Sequence, residues 1–217
     1  MNVRQHSGFS MVELLVVIAI SAFMLTSIFT TLMTGQATWF TADTSIELRE
    51  NIRSSNQKIA RELRESGFNS AATSQVTVLD SGGANSTDIL RFSMPVLCNT
   101  ATSLLDNSGN VAHWGAPLTW GCTTSSCMDA DNTCGTVEYK YVQYEVTAGN
   151  QLVRKVLSPA LAVVTQSTIA SNITNMQITI SADQNVITIQ LTAQKISPMR
   201  KTVTLTKSLD VYLRNRG

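Results

Sequence analysis

One acid, four cysteines and one small acidic cluster are the side chains in this chain whose type and spacing could support chemistry. Cys98, Cys122, Cys127 and Cys134 fall in a single stretch and are even in number, so an oxidising compartment could pair them as disulfides. Zinc is the rival reading, but its sites usually bring close Cys-x-x-Cys pairs. Here the intervals hold 23, 4 and 6 residues, and His113 is the only histidine nearby. Spacing favours disulfides over metal, and the three pairings that four cysteines allow all stay open. Asp129, Asp131 and Asn132 hint at a calcium loop, yet the glycine and distal acid of an EF-hand are missing. No resident metal or cofactor is expected, although hard-ion loops also take other forms. An enzyme would need more than this. No Gly-x-Ser-x-Gly, no His-Glu-x-x-His and no phosphate-binding Gly-rich loop occurs, and a lone histidine in a loop reads as a surface residue. Only a site of carboxylates alone would escape that search.

The acid is Glu13. It lies inside MVELLVVIAISAFMLTSIFTTLM, from Met11 to Met33, a run otherwise made of apolar and small hydroxyl residues. As a helix this run is roughly 34 Å long, enough to cross a bilayer core of about 30 Å. A secretory signal would be shorter and would be followed by a small-residue cleavage site, and none follows here. A carboxylate within such a span costs about 2.5 to 3.5 kcal/mol even on lenient insertion scales, so it normally has a partner or a function. The plainer alternative is an acid tolerated near the membrane surface. Directly before the apolar run stands the short basic leader MNVRQHSG. A cut between Gly8 and Phe9 would place a new α-amino group four residues before Glu13, one helical turn away or on a neighbouring copy. Helices packed side by side would then neutralise both buried charges.

Gly8, Phe9, Ser10, Met11, Val12 and Glu13 resemble the class III signal of type IV prepilins and pseudopilins. The resemblance implies that a membrane-embedded prepilin peptidase cuts after Gly8 on the cytoplasmic side and methylates the amine of Phe9. It also implies that Glu13 pairs with the N-terminal amine of a neighbouring subunit during filament assembly. Arg4 suits a leader that stays in the cytoplasm. The chain departs from many such proteins in having no proline within the apolar helix, where Ser27 to Thr31 stand, and Gly35 is the nearest helix breaker. The tail TVTLTKSLDVYLRNRG and the segment LRESGF resemble, more locally, the large minor subunits called PilW in pili and J in type II secretion. That second likeness implies a place near the filament tip, in an initiating complex. The implied partners are the prepilin peptidase, the inner-membrane assembly platform and fellow subunits contacted through their N-terminal helices. The implied location is the bacterial inner membrane, with the head outside the cytoplasm, and then the filament. Pilus, secretion pseudopilus and DNA-uptake filament share the same signal, and a filament-borne adhesin binding a surface, glycan or DNA is compatible with it.

The elements that position these residues follow from periodicity. From Asp43 to Ser66, Leu48, Ile52, Ile59 and Leu63 form one apolar stripe. Glu47, Arg49, Glu50, Arg53, Lys58, Arg61, Glu62, Arg64 and Glu65 are read as solvated on the other faces, and Gly67 ends the helix. Without a proline from Phe9 to Ser66, the apolar and amphipathic parts form one helix of roughly 85 Å. Period-2 alternation then predicts strands at 75–79 and 89–94, a hairpin from Tyr139–Val146 and Leu152–Leu157 around Gly149, a second hairpin from Ile173–Ile180 and Val186–Gln194, and a last strand through Val203 to Leu213. The basic residue Lys140, between Tyr139 and Tyr141, reads as part of a strand rather than a nucleic-acid surface.

The expected fold is therefore α+β: a long N-terminal helix, half transmembrane and half amphipathic, packed under an antiparallel β-sheet head, as the resemblance to type IV pilins also implies. The divisions are a leader at 1–8, the apolar helix at 9–34, its amphipathic half at 35–66 and a β-rich head at 67–217, with the cysteine region at 98–134. Composition agrees: 43% of residues are apolar, only 14% are charged, and Lys+Arg 16 against Asp+Glu 15 gives a net charge of +1. Such a balance supplies a core and no global field for nucleic acid.

Overall fold

The computed structural model describes residues 10–68, 75–79, 87–95, 111, 114–116, 141–181, 186–213 and 215–216. Its first element, α1, runs unbroken from Met11 to Glu65. With no proline to remove a backbone donor, the helix extends for about 82 Å. Ser10 caps its start in an extended conformation, its Oγ accepting the N–H of Val12 at 3.4 Å and its carbonyl that of Leu14 at 3.1 Å. At the other end Ser66 is again extended. Its N–H donates to the Leu63 carbonyl at 3.1 Å and its hydroxyl to the Ser93 carbonyl at 2.7 Å, tying the helix end into the head. Gly67, expected as the stop signal, already belongs to β1 (Gly67–Phe68).

Among the described residues the head has twelve strands. β2 (Val76–Leu79), β3 (Ile89–Phe92), β6 (Tyr141–Val146), β7 (Gln151–Leu157) and β8 (Val163–Ser171) form a five-stranded antiparallel sheet in the order β2-β3-β6-β7-β8. β9 (Ile173–Ile180), β10 (Val186–Ile196) and β11 (Thr202–Tyr212) form a three-stranded antiparallel sheet in chain order. The short β4 (Met94–Pro95) pairs with β5 (Trp114–Gly115), and β1 pairs in parallel with β12 (Asn215–Arg216). This is the α+β arrangement expected of the type IV pilin fold, one long helix packed on antiparallel sheets.

Both expected hairpins form. The first turns through Thr147–Asn150, where Asn150 takes a φ of 57° that an asparagine tolerates in a tight turn. β8 is an addition, because the sequence reading assigns no strand between Leu157 and Ile173. Only Ala170 of β8 is buried, so its residues carry little of the alternation that marks a half-buried strand. At Asn172, with a φ of 62°, the chain passes from one sheet to the other in a single residue. The Asn172 carbonyl accepts from Gln194 N–H at 2.9 Å, and Ile173 N–H donates to the Asn150 carbonyl at 3.0 Å. Asp88 closes a second seam. Its N–H donates to the Met176 carbonyl at 2.7 Å while its Oδ2 accepts the Ile178 N–H at 2.6 Å, so a buried carboxylate joins the entry of β3 to β9.

One core serves both sheets. Leu48, Ile52, Ile59 and Leu63 of α1 meet Leu90, Phe92 and Val142 of the larger sheet and Ile187, Ile189 and Leu191 of the smaller, all at 1% exposure or less. The rings of Phe92 and Tyr144 stack with centroids 6.2 Å apart.

Candidate assembly site

The two halves of α1 meet different surroundings. From Ser10 to Gln36 every residue is exposed, including Leu14, Ile18, Phe23, Leu25 and Phe29, while burial begins at Thr44 and follows the stripe Thr44, Leu48, Ile52, Ser55, Ile59, Leu63. An 18-residue window of α1 has a mean hydropathy of 2.4 and none of it is buried, so by length and composition the helix can cross a membrane. An apolar helix exposed all round has no partner within its own fold, and the environment it suits is lipid or other helices.

The hydroxyl residues of this segment fit that environment. Thr26 donates to the Ala22 carbonyl at 2.8 Å, Thr30 to Thr26 at 2.7 Å, Thr31 to Ser27 at 3.0 Å, Thr34 to Thr30 at 2.9 Å and Thr38 to Thr34 at 3.0 Å. Each of these five threonine hydroxyls donates to the backbone one turn earlier, so none of them needs water or an outside acceptor. Glu13 is different. It sits in the first turn of α1, where a carboxylate favours the helix dipole, but its side chain is exposed and meets no partner among the described residues. Gly8 and Phe9, the expected cleavage and methylation positions, lie outside the described residues, as do Cys98, Cys122, Cys127, Cys134, His113, Asp129, Asp131 and Asn132. Among the described residues no cluster of three His, Cys, Asp or Glu side chains stands ready for a metal.

What holds the stem to the head is a group that sequence reasoning placed elsewhere. Glu62, expected on a solvated face, is 4% exposed. Its carboxylate accepts from Arg154 Nε at 3.1 and 3.0 Å, pairs with Arg154 Nη2 at 2.9 Å, and accepts the phenol of Tyr144 at 2.6 Å. Arg154 and Tyr144 face each other across the β6–β7 ladder, so one helix and two strands converge on one carboxylate. Burial first, and the negative charge of Glu62 second, push the Tyr144 phenol well above its ordinary value near 10. The phenol therefore stays protonated and keeps donating. Two signals were available in the sequence: Glu62 directly precedes stripe residue Leu63, and Arg154 interrupts the apolar run of β7. Neither becomes decisive until the strands are paired.

Residues 3–29 match the family model of the prokaryotic N-terminal methylation motif, which supports the likeness to type IV pilin-like proteins that Gly8 to Glu13 carry. No curated protein and no solved structure matches the chain.

Proposed function

We propose that this chain, whose N-terminus carries a prepilin-type methylation motif, is a filament subunit: cut between Gly8 and Phe9 by prepilin peptidase, methylated on the amine of Phe9, and packed through α1 into a type IV pilus or a related pseudopilus. The observation that carries the reading is the fully exposed apolar half of α1 lying directly under the motif, with Glu13 as its one carboxylate and no partner for it among the described residues. Lipid covers that half before assembly, and neighbouring helices cover it afterwards. Leaving the bilayer is favourable only if the apolar surface stays covered, and a sheath of like helices does this. The amine of Phe9 on an adjacent subunit supplies the charge that Glu13 lacks, which removes the cost of an unpaired carboxylate in an apolar bundle. Before assembly the chain is anchored in the inner membrane with its head outside the cytoplasm. In that oxidising space Cys98, Cys122, Cys127 and Cys134 form disulfides that staple their long polar segment.

The deciding experiment is intact-mass and N-terminal peptide analysis of the chain expressed with and without an active prepilin peptidase, after alkylation without reductant. Cleavage before Phe9 with one added methyl, and no alkylated cysteine, is the expected result. A terminus still at Met1 or Asn2 beside an active peptidase would sink the reading.

A further inference from the structure

A groove of about 410 Å³ runs between α1 and β11, floored by the buried Ile52 and the half-buried Leu209. Three cations rim it: Arg49 and Arg53, one turn apart on α1, and Lys207 on β11. Lys207 stands opposite Leu191 in the β10–β11 ladder, so it occupies the helix-facing row of β11 between Leu205 and Leu209, where its neighbours are apolar. Three cations elsewhere are neutralised by carboxylates. Arg154 pairs with Glu62, Lys155 with Glu145 at 2.5 Å and Lys195 with Glu47 at 2.5 Å. Among the described residues no hydrogen bond or ion pair engages Arg49, Arg53 or Lys207. Three like charges that meet no partner describe a surface awaiting an acidic occupant.

The same helix carries the complement. Asp43, Glu47 and Glu50 lie at i, i+4 and i+7 on α1 and are exposed; Glu47 is shared with Lys195, while Asp43 and Glu50 meet no partner among the described residues. Two different patches on one chain, each the counterpart of the other, make a heterologous contact, the kind that repeats along an open filament when its rotation does not close a ring. We infer that the groove between α1 and β11 receives the acidic stripe of a second copy of this chain, with the two α1 helices parallel and offset by about one turn.

The offset is testable against the assembly reading on which this inference rests. If the amine of Phe9 in one copy is level with Glu13 of the next, every residue of that copy is level with the residue four positions later in its neighbour, about 6 Å along the axis. Asp43 then stands level with position 47, Glu47 with position 51 and Glu50 with position 54 of the neighbour. The three carboxylates bracket Arg49 and Arg53, within reach of their long side chains. One stagger thus serves the N-terminal pair and the stem contact together.

The test is self-association of the chain in detergent micelles, both uncut and cut before Phe9, read by energy transfer between donor-labelled and acceptor-labelled copies. Arg49→Glu with Arg53→Glu and Lys207→Glu reverses the groove, and Asp43→Lys with Glu50→Lys reverses the stripe. Either reversed form alone is expected to self-associate at least tenfold more weakly than wild type at low salt, and an equimolar mixture of the two is expected to regain association. Thermal unfolding of both forms, read in parallel, should remain close to wild type because every substituted side chain is exposed. Unchanged association of the single reversed forms, a mixture that stays weak, or a wild type that does not self-associate each overturns the inference. Peptidase processing is measured separately, so failure of the prepilin reading is visible as an uncut N-terminus whatever the micelles show.

Discussion

The two halves of α1 share one backbone and resolve their apolar side chains in opposite ways. Before Gln36 the apolar residues surround the helix and none is buried; after Thr44 they narrow to a stripe that both sheets cover. Polar groups follow the same division. In the first half hydroxyls fold back on carbonyls one turn earlier and the single acid is exposed, whereas in the second half the deepest acid, Glu62, is fixed by a guanidinium and a phenol. The contrast teaches that burial on this helix is assigned by what surrounds each segment, since composition alone would place Leu25 inside and Glu62 outside. One half is completed by the head of its own chain, and the other is left uncovered by it.

The largest effect expected from breaking this contrast is at Arg154. Arg154→Ala strands the Glu62 carboxylate in the core, and loss of one partner from a buried pair costs about 3–5 kcal/mol. Denaturant unfolding of the head should show that loss while membrane anchoring is unchanged; a cost below about 1 kcal/mol would mean that water reaches Glu62. Next come paired truncations along α1. Ile52→Ala should destabilise the head by about 2–5 kcal/mol, whereas Leu25→Ala should change its unfolding by less than about 0.5 kcal/mol. Equal effects would contradict the division.

Glu13 sharpens the comparison from the other side. Glu13→Gln removes a charge costing about 2.5–3.5 kcal/mol in a membrane, so anchoring should improve or hold while the yield of sheared filaments falls. Filaments at wild-type yield would show that the acid has no part in assembly. The smallest effect is at Tyr144. Its folded pKa is raised above the unfolded value, so below about pH 10 both states are protonated and this group gives no pH dependence. Above that, the unfolded state loses the proton first and stability falls by up to about 1.4 kcal/mol per pH unit until the folded phenol also ionises. Tyr144→Phe should cost about 1–3 kcal/mol at neutral pH and abolish that part of the alkaline slope in a pH series of unfolding curves.

Much of this was legible in the chain itself. The absence of proline from Phe9 to Ser66 foretold the unbroken helix, and the spacing of Leu48, Ile52, Ile59 and Leu63 identified its buried face. Apolar patterning located both hairpins, although only β10 buries one face and exposes the other, while β6 and β7 bury consecutive residues on both faces. β8 escaped notice since only Ala170 is buried along it, and a strand that faces solvent on both sides leaves no period to detect. Glu62 was misplaced for a related reason: helical periodicity says which direction a side chain points, but not whether a buried cation and phenol wait there.

Sequence by itself determined the parts whose physics is local. A bilayer-length apolar run, one acid in its first turns, the basic residues before it and the residues Gly8 to Glu13 need no fold to be recognised, because length, hydropathy and residue order belong to a linear segment. Tertiary structure alone decided how the head is tied to the stem. Glu62 lies 82 residues from Tyr144 and 92 from Arg154, and only the pairing of β6 with β7 under α1 brings them together. The groove between α1 and β11 has the same origin: Lys207 reads in the sequence as an interruption of a strand, and it becomes the third cation of a set because the β10–β11 ladder turns it toward the helix.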